Sequence, residues 1–266
     1  GHAEVVDERC VLDGRCALIC PQGAKKVRHD VQKVKELLHS GEKVVASIAP
    51  SFVAAFPEAR VGQVVSALRK LGFREIRETA EGAEWVAREH LRLLQEGKTN
   101  LISSSCPAIN NLICRYFPEQ LEHLAPVVSP MVAHARLFHE EDPEARVVFI
   151  GPCIAKKGEI EEQEVAGEVE AVLTFEELKE WLREENLELS ALSEEECDFS
   201  PVDWARAFPV EGGLLRSAQL ETDVLSRDLI VITGVERARE FLKELEAGKV
   251  NFKLIEMMAC EGGCID

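Results

Sequence analysis

The 266-residue chain has no run of about 18 apolar residues, the minimum for a membrane-spanning helix. Its start, GHAEVVDERC, has no basic-then-apolar leader. Together these predict a cytoplasmic, unprocessed protein whose opening Gly-His is a cloning scar. Basic residues are also scarce: 31 Lys and Arg face 48 Asp and Glu, a net charge of −17. Such a surface repels duplex nucleic acid and anionic membranes, so neither is expected as a partner. The carboxylate runs EVVDE, HEEDPE, EIEEQE, REENLE and SEEE read as solvated helix faces and loops. There is no internal repeat, no low-complexity linker and no tight pair of CxxC motifs. Nine cysteines, an odd number, stand at 10, 16, 20, 106, 114, 153, 197, 260 and 264. In a chain that reads as cytosolic, that count excludes a disulfide framework and points to metal or redox chemistry.

What is present alternates in period. DVQKVKELLHSG (30–41), RVGQVVSALRKLG (60–72) and EGAEWVAREHLRLLQEG (81–97) carry helical spacing, with a short REIRE between the last two. SPMVAHARLFHEE opens a helix with Ser129 as N-cap and Pro130 in the first turn. EKVVASIAP, NLISSSCP, ARVVFIGPC, AVLTF, DLIVITG and NFKLIEMMAC read as buried strands. Strand and helix alternation predicts an α/β fold with mostly parallel sheet. The acidic stretch from Asn186 to Phe199 is the expected irregular excursion.

Cys106, Cys153 and Cys260 each follow the end of a predicted strand, with Cys264 one turn beyond. Functional sites of open α/β sheets gather at the carboxyl ends of strands. Four thiols so placed, scattered over the sequence and without a nearby histidine, suit an iron-sulfur cluster better than a structural zinc site.

The segments SSSCPA (103–108), GPCIAKKGE (151–159) and EMMACEGGC (256–264) resemble, in order, the three H-cluster signatures of FeFe hydrogenases. FPVEGGLLRSA resembles the glycine-pair segment between the second and third, and ASIAPSF the turn beside the diiron unit. The resemblance spans roughly residues 40–266. It implies two lobes of mostly parallel sheet flanked by helices, with the iron-sulfur site in the cleft between them. The implied domains are a ferredoxin-like segment over 1–28 and a catalytic domain over 29–266. The implied cofactors are a 4Fe-4S cluster on Cys106, Cys153, Cys260 and Cys264, and a diiron subsite with CO, cyanide and azadithiolate bridged through Cys264. Lys156 would bond one cyanide, Ala49, Pro50 and Ser51 would surround the other, and Met258 would pack against the diiron unit. The resemblance further implies H2 and protons as reactants, a ferredoxin or signalling protein as redox partner, and dedicated maturation proteins.

Departures from the family pattern shape the expected activity. Ser105 stands where efficient members carry a proton-relaying cysteine, and a hydroxyl is a far weaker acid than a thiol. Glu81, Glu84 and Arg88 match the proton channel, but Ala125 or Pro126 replaces its serine. Gly151 and Met131 replace a methionine and a glutamine near the diiron unit. The set resembles the sensory, group C and D branch, and predicts slow turnover. An assembly or scaffold protein that keeps the cubane without the diiron unit, and a plain electron-transfer module, are the alternatives. Finally, Cys10-x2-Asp13-x2-Cys16-x3-Cys20-Pro21 resembles a ferredoxin cluster run with Asp13 in the second cysteine position, implying a second cluster as electron port. Cys114 and Cys197 match nothing and read as structural.

Overall fold

The computed structural model describes residues 4–199, 203–218 and 228–265. Among them, strands β1 (Val44–Ile48), β2 (Glu75–Glu78), β3 (Leu101–Ile102), β4 (Arg146–Gly151), β5 (Ala171–Thr174), β6 (Leu229–Thr233) and β7 (Leu254–Met258) form two sheets. The first has the order β2-β1-β4-β5 and the second β3-β7-β6, with every pairing parallel. β1 and β7 are buried at every position, and β4 at all but its first. Continuous apolar runs are what a parallel sheet covered on both faces demands. The architecture is the expected α/β class.

Register aligns the strand ends. Ile48 pairs with both Glu78 and Ile150, so β1, β2 and β4 finish at one level. In the second sheet Met258 finishes opposite Thr233. Separate apolar cores sit around each sheet.

The helix starts follow local chemistry. Ser129 Oγ accepts from Val132 N at 3.5 Å, with Pro130 in the first turn of the helix Pro130–Glu141. Thr174 and Glu177 form a reciprocal capping box at the helix Phe175–Glu184. A close approach of two helices sets one buried contact. The helix Ala80–Gln95 crosses Pro130–Glu141 at Gly82, where a Cβ would lie 2.2 Å from Pro130 O and 2.7 Å from His134 N. Only glycine permits that crossing, and it brings the neighbouring Glu81 against His134.

Three readings change. REIRE is a real strand, β2, parallel to β1. The residues SSSC do not prolong β3; the chain leaves the sheet after Ile102, and Cys106 caps the helix Pro107–Tyr116. The acidic stretch is irregular as expected but not idle: Asp198 N bonds Ile76 O, and Phe199 bridges to Arg77, covering the open edge of β2. The carboxylates are also not all solvated. Asp30, Glu78, Glu81, Glu159, Glu177 and Glu256 are buried, because each meets a cation or a backbone N–H that offsets desolvation.

Candidate cluster-binding cleft

In the first sheet the strands flanking β1 are β2 and β4, so the connections after β1 and β4 part and leave a crevice at the carboxyl ends. Ala49 N donates to Ile150 O at 2.8 Å and ties the Ala49–Pro50–Ser51 turn to β4. The second sheet presents the ends of β3 and β7 to the same crevice. The result is a cavity of about 100 Å³ lined by Cys106, Cys153 and Cys264. Ala49, Pro50, Ser51, Ser105, Lys156 and Met258 line it too.

The terminal loop is strapped in place by residues 208–213. Cys264 N donates to Pro209 O at 2.7 Å and Glu211 N to Gly262 O at 3.2 Å. Gly263, at φ 111°, sits where a Cβ would lie 2.3 Å from Pro209 O. Cys260 is exposed at the rim, within electrostatic reach of Cys153 and Cys264. Burial pushes the Cys153 thiol up to about 11 and the Cys264 thiol well above its ordinary value; the neighbouring thiols push both further and Lys156 opposes them. Thiols this crowded ionise together only when a cationic centre compensates them.

Among the described residues, no three His, Cys, Asp or Glu side chains close around a single ion. Four sulfurs on one zinc stand about 3.8 Å apart, from the usual Zn–S bond of about 2.3 Å; a four-iron cubane holds its thiolates wider. The polar lining suits such a group. Ser51 Oγ and Ser105 Oγ are buried and have no hydrogen-bond partner, the condition of atoms facing a missing partner. Lys156, 8% exposed, donates from Nζ to Glu159 Oε2 at 2.6 Å and Ser105 O at 3.3 Å. Lys157 beside it is also buried, held by Asp30, Glu177 and the carbonyl of Val172.

The expected proton channel divides. Ser105 is in the cleft, but its hydroxyl bonds nothing, so no hydrogen bond joins it to Glu81. Glu81 is buried and bonds His134 Nε2 at 3.0 Å. Glu84 instead pairs with Arg88, whose side chain is mostly exposed. Of the two substituted positions, Met131 lines the cleft. Gly151 is filled over by the ring of Phe149, which comes within 2.6 Å of where a Cβ would stand.

The N-terminal cysteines are arranged differently. Cys16 is exposed on the short helix Arg15–Leu18. Cys10 Sγ accepts from Leu12 N and Cys20 Sγ from Ala24 N, each at 3.4 Å, the latter lowering the Cys20 thiol. Asp13 Oδ1 accepts from Arg15 N at 3.3 Å. The structure does not gather these four groups round an ion. It does seat their segment beside the cleft: a Cβ on Gly14 would meet Ile154 Cδ1 at 2.5 Å, and one on Gly158 would meet Leu12 Cδ1 at 2.3 Å. Val11 and Leu12 pack with Cys106 and Cys153 against the second core. Cys114 is exposed and Cys197 half-buried against the first core.

Sequence reading missed Glu256 and the pair Ser47 and His134. Glu256 lines the cleft, 2% exposed, and accepts from Leu214 N and Leu215 N at 3.3 and 3.2 Å. Burial raises its carboxyl to about 7. The signal was available: one charge inside the apolar strand LIEMM. Ser47, within VVASI, gives no comparable sign.

Comparison with known proteins matches this geometry. The chain is 28% identical to the NADP-reducing hydrogenase subunit HndD of Solidesulfovibrio fructosivorans, over 98% of this chain and 56% of that protein. It is 24% identical to iron hydrogenase 1 of Clostridium pasteurianum, over 92% and 53%, and 26% identical to the periplasmic hydrogenase large subunit of Nitratidesulfovibrio vulgaris, over 92% and 70%. It therefore spans about half the length of the first two relatives. A Chlamydomonas reinhardtii FeFe hydrogenase structure superposes with a TM-score of 0.72 at 17% identity, covering 90% of this chain and 83% of that one. A structure of an FeFe hydrogenase in stepwise H-cluster assembly gives 0.71. Residues 42–266 match the model of the family described as iron only hydrogenase large subunit, C-terminal domain; the chain belongs to that family.

Proposed function

We propose that the cleft holds an H-cluster and that the chain catalyses reversible H2 oxidation and proton reduction, slowly, in a sensing role. One observation carries the reading: three thiols, a buried ammonium and the two orphaned hydroxyls of Ser51 and Ser105 line one cavity at the strand ends of both sheets.

Cys106, Cys153, Cys260 and Cys264 would hold the cubane, and Cys264 would bridge to the diiron subsite. When bound, that group supplies an iron site for heterolytic H2 cleavage, an amine base beside it, and a one-electron outlet. The protein's part is to bind and to exclude water. Lys156, charge-paired with Glu159, would give its remaining donor capacity to an anionic ligand in the cleft. The Ala49–Pro50 turn and Met258 present an apolar wall, and Ser51 offers a free hydroxyl. Ser105 is a poor proton donor at neutral pH, which slows turnover. The N-terminal segment, packed against the turn that carries Cys153, would pass electrons through a second cluster on Cys10, Asp13, Cys16 and Cys20. A redox or signalling protein in the cytoplasm would receive them, and maturation proteins would install the diiron unit.

A second reading, an iron-sulfur scaffold or electron-transfer protein without the diiron unit, draws on Lys156 having two partners in the protein itself. Dye-linked H2 oxidation after maturation separates the two. Slow uptake above a cubane-only control supports the first reading; uptake equal to the control supports the second.

A further inference from the structure

A file of buried polar groups leads from the cleft into the first lobe. Thr79, at the end of β2, lines the cavity. Its Oγ1 lies 2.8 Å from Ser47 Oγ on β1, which lies 2.8 Å from His134 Nδ1. His134 Nε2 lies 3.0 Å from Glu81 Oε2. Ser47 and His134 are 0% exposed, Thr79 4% and Glu81 7%. At the outer end Arg77 Nη1 stands 3.6 Å from Glu81 Oε2 and also holds Glu75 and Glu141, the last largely exposed. The approach of two helices at Gly82 sets the His134–Glu81 contact, and Phe138 lies against the imidazole at 4.7 Å.

We propose that Thr79, Ser47, His134 and Glu81 form a proton-conducting file between the cleft and the outer edge of the lobe, separate from Ser105. The contacts admit one consistent polarity, set by an ionised Glu81 accepting from the ring. Thr79 O–H donates to Ser47, Ser47 O–H donates to His134 Nδ1, and His134 Nε2–H donates to the Glu81 carboxylate. A proton delivered to Thr79 from the cleft displaces one along each bond. It leaves Glu81 protonated and His134 in the Nδ1–H tautomer. Glu81 then releases its proton to water, the two hydroxyls turn, and the next transfer waits until local opening lets the ring lose its Nδ1 proton to water and take one at Nε2. Nothing is oxidised or reduced. Burial keeps the imidazole below its ordinary pKa, against the raising effects of Glu81 and Glu141 and with the lowering effect of Arg77. The file therefore holds a neutral ring that passes protons without trapping a charge. Its direction, outward from the cleft, is the one H2 oxidation requires. The proposal rests on the hydrogenase reading only for the origin of the protons.

The test uses the full chain without its diiron unit, labelled with 15N-histidine, and follows exchange of the His134 Nε2 hydrogen with solvent. That exchange needs one proton taken at Nδ1 and one released at Nε2, so both sides of the file count. Ser47→Ala and Glu81→Gln should each slow it at least tenfold, and Ser47→Thr should restore it. A network that only supports the fold would exchange equally fast or faster when loosened, and that result in either variant overturns the proposal. In the matured protein, His134→Gln keeps one donor and one acceptor but cannot relay. H2 oxidation should fall at least tenfold with the infrared bands of the cofactor unchanged, and an unaltered rate is contrary to the proposal. Absence of H2 oxidation in the parent chain would count against the hydrogenase reading alone, since the exchange measurement does not depend on it.

Discussion

Two sets of cysteines in this chain look alike in chemistry and opposite in arrangement. Cys10, Cys16 and Cys20 are regularly spaced in sequence, yet sit on a short helix and its flanking bends, Cys16 exposed and Cys10 and Cys20 bonded to backbone N–H groups of their own segment. Cys106, Cys153 and Cys264 are scattered over the sequence, yet two parallel sheets deliver them to one crevice, with Cys260 exposed beside it. Strand topology, rather than sequence spacing, makes a preorganised site. A spaced run whose side chains do not already converge must be organised by the group it binds, and its ordering cost is charged against affinity.

The largest expected effect is in the cleft. Cys106→Ser or Cys153→Ser should remove the cubane signal in electron paramagnetic resonance, because a hydroxyl cannot replace a thiolate among buried neighbours. Cys260→Ser, at the exposed rim, should lose the least. Equal, full-strength signals from all three would contradict the shared site. Replacing Cys10, Cys16 and Cys20 together by serine should leave that signal intact while iron drops from about seven or eight per chain to about four. A parent chain that already holds only about four irons before diiron insertion would mean the N-terminal run binds none. Asp13→Cys should convert a 3Fe form at that run to a stable 4Fe form, since the carboxylate is the harder and weaker ligand for iron.

Ser105→Cys is the next step down. A relay with a lower pKa should raise H2 evolution about tenfold, inside the range for a positioned acid. Because no hydrogen bond joins Ser105 to Glu81 here, a smaller gain would mean that protons reach the cleft by another route.

The smallest effect concerns Glu256. Its carboxyl sits at about 7, so the folded chain holds that proton more tightly than the unfolded chain. The stability this lends is complete below about pH 4 and is lost as pH rises through about 7, at most about 3 kcal/mol. Glu256→Gln should flatten that part of the stability-pH curve in denaturant titrations between pH 5 and pH 8. Parallel curves for variant and parent would show that the carboxyl is ionised throughout.

Much of this was legible in the residues. Continuous apolar strands and amphipathic helices specify the parallel α/β fold, and the Ser129–Pro130 start is as the local chemistry requires. The position of Cys153 and Cys260 just past their strands was readable for the same reason. Pairing order was not, because which strand lies beside β1 depends on contacts far apart in sequence. The fate of charged side chains was equally hidden. Lys157 and Glu81 stand among polar neighbours in sequence, and only the approach of distant partners shows that their burial is compensated. His134 lies on a helix whose pattern is ordinary. Its importance comes from a glycine 52 positions earlier that lets two helices touch.

The central claim is that the cleft holds a diiron unit beside the cubane, and infrared spectroscopy of the matured chain tests it most directly. Carbonyl and cyanide bands should appear, the cyanide bands should shift in Lys156→Met, and all should vanish in Cys264→Ala. A matured chain with a full cubane signal and no carbonyl or cyanide absorption would contradict the account.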